Sequence, residues 1–160
     1  MTDQPFTHLD AAGHAWMVDV TNKQPTIREA TAAGTVLCSA QVVAALTSGT
    51  VPKGDVLAVA RLAGISAVKK VPELIPLAHV IGIHGAVVEL EVTPRGVDIV
   101  VTVRTADRTG VEMEALTGVA VAGLAVIDMV KGLDKSTSIT DVRLLRKSGG
   151  KSGTWLRDAQ

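Results

Sequence analysis

Residues 85–105, "GAVVELEVTPRGVDIVVTVRT", decide the fold class. Val97, Ile99, Val101 and Val103 recur every second residue, the period of a strand with one buried face. In the linking "TPRG", Pro94 and Gly96 take the second and fourth positions that a type I turn favours, so the two apolar runs pair as an antiparallel hairpin. After the hairpin, the spacing predicts a helix from about Gly110 to Leu133 and a last strand around "SITDVRLLRK". Before it, "TIREATAAGTV" reads as extended, and "HAWMVDV" as a short strand followed by a turn at "TNKQP".

"SAQVVAALTSG" predicts a helix with Ser39 as its cap and Gly49 as its stop. A second helix is expected over residues 52–70, entered through Pro52-Lys53-Gly54. "VPELIPLAHVIG", with two prolines, is a loop or a short helical piece. This order gives an α+β fold, an antiparallel sheet with helices on one face. No repeat or linker divides the chain, so residues 1–160 form one expected domain, loose over 1–13 and ending in a glycine- and lysine-rich tail at 148–160.

Of 160 residues, 47 % are hydrophobic, yet Phe6, Trp16 and Trp155 are the only aromatic ones, so the core must be built from small aliphatic side chains. Sixteen basic and sixteen acidic residues cancel, which removes any global field for nucleic acid or membrane. Cys38 is alone, excluding an intrachain disulfide and a thiolate metal cluster. The start lacks a signal-peptide pattern, and the uncharged run Ala115–Ile127 is shorter than the roughly 20 residues that span a bilayer. A soluble, cytoplasmic protein is the expectation. That run has no polar stripe, and Gly118, Ala122 and Gly123 would let another backbone approach, which points to a homo-oligomer; a wholly internal helix is the alternative.

Chemistry is concentrated around the same helix. Thr109-Gly110-Val111-Glu112 fits a capping box, which accounts for Glu112 without any catalysis. Glu114 fits no capping pattern. Asp128 and Lys131, three apart, share a face and form either a surface pair or a working one. Asp128 interrupts an apolar stretch, where an ionised carboxylate needs a partner. On one straight helix Glu114 and Asp128 lie about 21 Å apart, too far for one reacting centre, so they either grip opposite ends of a large ligand or belong to different sites completed by neighbouring subunits. "RKSGGKSG" places Lys147 and Lys151 around glycines that could wrap phosphate, although Leu145 excludes a Walker A loop. His79 and His84 follow no zinc spacing.

Several stretches together resemble a known family. "MVDVTNK", "KGDVLAVARLAGISAVKK", "ELIPLAH", "RTGVEMEALTGVAVAGLAVIDMVK" and "VRLLRKSGGKSG" are similar, in order, to the MoaC family of cyclic pyranopterin monophosphate synthases in molybdenum cofactor biosynthesis. The resemblance covers roughly residues 14–153 and implies a ferredoxin-like fold and a homohexamer, a trimer of dimers with sites at subunit interfaces. It implies a lyase that rearranges 3′,8-cyclised dihydro-GTP to cyclic pyranopterin monophosphate and releases pyrophosphate. Asp128, Lys131, Lys53 and His79 match catalytic positions. Ala78, His79, Met113, Glu112, Glu114, Arg28, Lys69 and Lys147 match substrate-binding ones, with Arg28, Lys69 and Lys147 expected on phosphate. No metal site or resident cofactor is assigned, and Mg2+ would come only with the triphosphate. Where the family has "LIPLCHPL", this chain has "LIPLAHVI", with Ala78 for cysteine and Val80 for proline. These departures leave an alternative, a non-catalytic guanine-nucleotide-binding oligomer that keeps the fold.

Overall fold

The structure, a computed structural model, describes residues 9, 10 and 12–158. The expectation of a loose 1–13 segment falls mostly on residues outside that range. Strand β1 (Thr26–Leu37) leads to helices α1 (Ala40–Ser48), α2 (Val56–Ala67) and α3 (Val71–Leu74). Strands β2 (Gly85–Thr93) and β3 (Gly96–Asp107) form the expected hairpin, followed by α4 (Glu112–Val130), β4 (Ser138–Ser148) and β5 (Trp155–Leu156). The sheet order is β2-β3-β1-β4-β5 with all neighbours antiparallel. Without α1, α3 and β5 this is the βαββαβ ferredoxin-like plan.

Val97, Ile99, Val101 and Val103 are buried together with Ala30, Ala32 and Val36 of β1, under Ala115, Val119, Ala122 and Val126 of α4. The opposite sheet face is polar. There Thr31 meets Thr102 at 3.0 Å, Thr35 donates to Asp98 at 2.7 Å, and Glu29 accepts from Arg104 and Arg146.

The small residues of α4 are used inside the chain rather than kept for another subunit. A Cβ on Gly118 would meet Val68 at 2.9 Å and Val101 at 3.0 Å, and one on Gly64 of α2 would meet the Gly118 carbonyl at 3.2 Å and Ala122 at 3.4 Å. Gly123 is held in the same way against Ile139 and Val36. The close approach expected between copies is therefore an α2–α4 contact. α4 is not wholly internal, since Leu124 stays 57 % exposed. Its length and composition would suffice to cross a membrane, but half of its apolar window is buried in this fold, as in a core helix.

Local signals hold at α1, where the Ser39 hydroxyl accepts from the Val42 amide and Gly49 adopts φ 67°. α2 starts later than its proline suggested. Asp55 caps it by accepting from the Ala58 amide at 2.9 Å, and Gly54, at φ 97°, keeps Lys53 in a turn ahead of the helix. No strand forms over "HAWMVDV"; Leu9 and Ala15 make an isolated bridge instead. The Val18 carbonyl is taken by a histidine ring rather than by a ladder. The tail also turns back on the sheet, since Trp155 and Leu156 pair with Lys147 and Arg146.

Candidate active site

Helix α4 carries ionisable groups at both ends. At its C-terminal end, Lys131 Nζ lies 2.7 Å from Asp128 Oδ1, one turn away on the same face. From the turn before α2, Lys53 Nζ reaches Asp128 Oδ2 at 3.0 Å and donates to the Asp128 carbonyl at 2.7 Å. Lys53 thus also satisfies a carbonyl at the negative end of the helix. Asp128 is not buried in the apolar run, because its side chain is 58 % exposed. The bonds from Lys131 and then Lys53 hold its carboxyl below the usual carboxylate range.

At the N-terminal end, Leu77, Ala78 and His79 from the loop after α3 face Glu112, Met113 and Glu114 across a cavity of ≈ 320 Å³. Glu114 is 3 % exposed. Burial pushes its carboxyl up to about 7 against a bond from its own amide, and the Glu112 charge adds to the rise. His79 Nε2 lies 2.6 Å from the Val18 carbonyl. A carbonyl can only accept, so Nε2 carries the proton and Nδ1 of the neutral ring is free to take another. The expected capping box does not form. α4 begins at Glu112, Thr109 supplies no cap bond, and the Glu112 carboxylate pairs with Lys147 Nζ at 3.1 Å.

Beside this cavity lies a wider basin of ≈ 620 Å³, and Thr109, Gly110 and Glu112 line both. Lys23, Arg28, Arg108, Lys147 and Lys151 surround it. Arg28 donates from Nε to the Asp107 carbonyl at 3.0 Å and from Nη2 to the Arg108 carbonyl at 3.1 Å. The glycine loop packs on the same guanidinium, and a Cβ on Gly150, at φ 69°, would sit 2.2 Å from Arg28 Nη1. "SGGKSG" is therefore a wall of the basin, and glycine is required at Gly149, where φ is 94° and a Cβ would fall 2.1 Å from the Ile27 carbonyl oxygen.

Sequence reasoning named Arg28 and Lys147 for phosphate and missed Lys23 and Arg108 as basin residues. Their only sequence signal was a place at the end of "MVDVTNK" and at the start of "RTGVEME". Lys69, exposed after the end of α2, lines neither the cavity nor the basin. Lys53, Asp128 and Lys131 line neither of them as well, so the groups at the two ends of α4 do not meet within one chain.

The model of the MoaC family matches residues 17–150. The chain belongs to the MoaC family. It is 57 % identical over 155 residues to the cyclic pyranopterin monophosphate synthase of Geobacter metallireducens, covering 96 % of this chain and 97 % of that one. The synthase of Streptomyces avermitilis is 56 % identical over 152 residues, covering 95 % and 89 %. That of a Nocardioides species is 56 % identical over 162 residues, covering 98 % and 99 %. The MoaC match spans both ends of α4, the loop bearing His79 and all of β4, so the geometry above falls inside the family region except for Lys151 and Ser152 at the basin's edge.

Proposed function

We infer that this chain is a lyase of molybdenum cofactor biosynthesis. It converts 3′,8-cyclo-7,8-dihydroguanosine 5′-triphosphate to cyclic pyranopterin monophosphate and releases pyrophosphate. The observation that carries this reading is the near full-length match, at more than half identity, to proteins of that name. The geometry supports it. The reaction opens a purine ring, closes a pterin and forms a cyclic phosphate, so it needs proton carriers next to a holder for a triphosphate.

Lys131 and Lys53 are suited to move protons, with Asp128 fixing both ammonium groups. Glu114, whose carboxyl is pushed up to about 7 and so keeps a protonated fraction near neutrality, can donate, and His79 Nδ1 can accept. Ala78, Met113 and Glu112 would frame the heterocycle. Lys23, Arg108, Lys147 and Lys151 suit the phosphates, with Arg28 bracing the loops that carry them. Lys69 joins them only if a second subunit brings it there.

Two half-sites about 21 Å apart on one helix cannot serve one reacting centre. The working site is therefore read as composite, and the family resemblance implies that the subunits sharing it form a cytoplasmic homohexamer, a trimer of dimers. Val59, Leu62 and Leu124, exposed on α2 and α4, supply apolar surface for such contacts. Any Mg2+ is read as arriving with the triphosphate, whose oxygens are the hard ligands that this ion prefers.

Purified protein given the cyclised triphosphate should yield cyclic pyranopterin monophosphate and pyrophosphate. A folded oligomer that binds GTP and makes no product would establish the non-catalytic alternative. Mixing a Glu114→Ala variant with an Asp128→Ala variant tests the composite site. Exchanged subunits should regain part of the activity, whereas proven exchange with none regained would place both groups of each site on one chain.

A further inference from the structure

The basin has five cationic side chains and one carboxylate among its described lining residues, and that carboxylate is Glu112. Its position is unusual for a phosphate holder. Glu112 lies at the start of α4, where free amides and the helix dipole already favour an anion. It bonds Lys147 at 3.1 Å, and its side chain folds back so closely over Gly110 that a Cβ there would fall 1.8 Å from Oε2. Both partners are partly shielded, Glu112 being 25 % and Lys147 32 % exposed. The carboxylate therefore uses the two features that would attract a phosphate oxygen, a lysine and a helix N-terminus, on the wall shared by basin and cavity.

We propose that the Glu112–Lys147 pair is a built-in brake on polyphosphate binding, keeping the basin weak enough for pyrophosphate to leave after the reaction. This rests on reading the basin as the phosphate end of the substrate. A polyphosphate entering must share Lys147 with Glu112 or displace the carboxylate, and it meets a like charge in either case. The intact substrate offsets this with contacts from its heterocycle in the neighbouring cavity. Pyrophosphate, with no heterocycle, has nothing to offset it and is released first.

The test is calorimetric binding of inorganic pyrophosphate to the full oligomer. Glu112→Gln keeps the shape, removes the charge and frees Lys147, so it should tighten pyrophosphate by roughly tenfold. Its affinity should also fall more steeply with salt, by about one further phosphate contact. Glu112→Ala checks the same prediction should glutamine find a substitute bond, and Arg108→Ala should weaken pyrophosphate. Unchanged or weaker binding in both Glu112 variants, with Arg108→Ala still harmful, overturns the brake and leaves the basin as the phosphate site. Binding indifferent to Arg108, Lys151 and Glu112 alike would remove the basin from phosphate recognition, and the brake with it.

Discussion

At one end of α4, Asp128 lies open to solvent between two ammonium groups. At the other, Glu114 is buried with Glu112 as its charged neighbour. The side chains are nearly the same, but their surroundings drive the carboxyls in opposite directions. Lysine partners keep Asp128 ionised below the usual range, while burial lifts Glu114 to about 7. One helix thus offers an anion that anchors lysines and a carboxyl that exchanges its proton near neutrality. Two carboxyl groups pushed apart in this way are what a sequence of proton transfers requires.

The largest effects should come from the lysine–aspartate end. Asp128→Ala or Lys131→Ala should lower turnover by about 10²–10⁴-fold, the usual cost of losing an acid or base. Folding and elution volume in size-exclusion chromatography should be unchanged, because Asp128 and Lys131 are exposed and the core does not contain them. Near-normal turnover in both variants would reduce the cluster to a surface ion pair.

Next in size is the waist that holds the two ends apart. Ala122 packs beside Gly64 and Gly118 with no exposure, so Ala122→Leu should destabilise the fold by roughly 1–3 kcal/mol. Thermal unfolding measures this. An unchanged melting temperature would mean that α2 can move away from α4 without cost.

The buried end predicts a pH signature. Glu114 titrates near 4.5 when unfolded and about 7 when folded, so between these values the folded chain holds more protons. Its contribution is complete below about pH 4.5 and is lost as pH rises through about 7. Because the carboxyl lines an open cavity, solvent screening reduces the effect to roughly 1–2 kcal/mol. Glu114→Gln should flatten this part of the stability curve, as followed by urea denaturation at pH 5 and pH 8. Equal slopes in both proteins would show that water reaches the carboxyl freely.

These contrasts also separate what was legible in the chain from what was not. The hairpin, α1 and the core face of β3 follow from neighbours a few residues apart, and period, cap and turn rules read such relations directly. The two-ended helix followed from simple rise per residue. Lys53 on Asp128 joins residues 75 apart, and Arg28 on the Arg108 carbonyl joins residues 80 apart. No local pattern reports such pairs. The resemblance supplied Lys53, while Lys23 and Arg108 became basin residues only once β1, β3 and the glycine loop were in place. The strand expected over "HAWMVDV" failed for a similar reason, since the Val18 carbonyl answers to His79, 61 residues away.

The smallest prediction tests the one place where a local rule and a distant partner competed for the same side chain. Thr109-Gly110-Val111-Glu112 has the letters of a capping box, yet Glu112 is the first helical residue rather than the third, and its carboxylate has gone to Lys147. The contact with Lys147 joins two full charges in a partly shielded site, whereas the bond to the Thr109 amide would join only one, so the lysine wins the carboxylate. Thr109→Ala should therefore cost under about 0.5 kcal/mol, the range of ordinary surface substitutions. Asp55→Ala, which removes a real cap from α2, should cost about 1 kcal/mol under the same denaturation conditions. Equal losses in the two variants would mean that Thr109 does cap α4 in solution and that the Glu112–Lys147 pair is the weaker claim on that helix end.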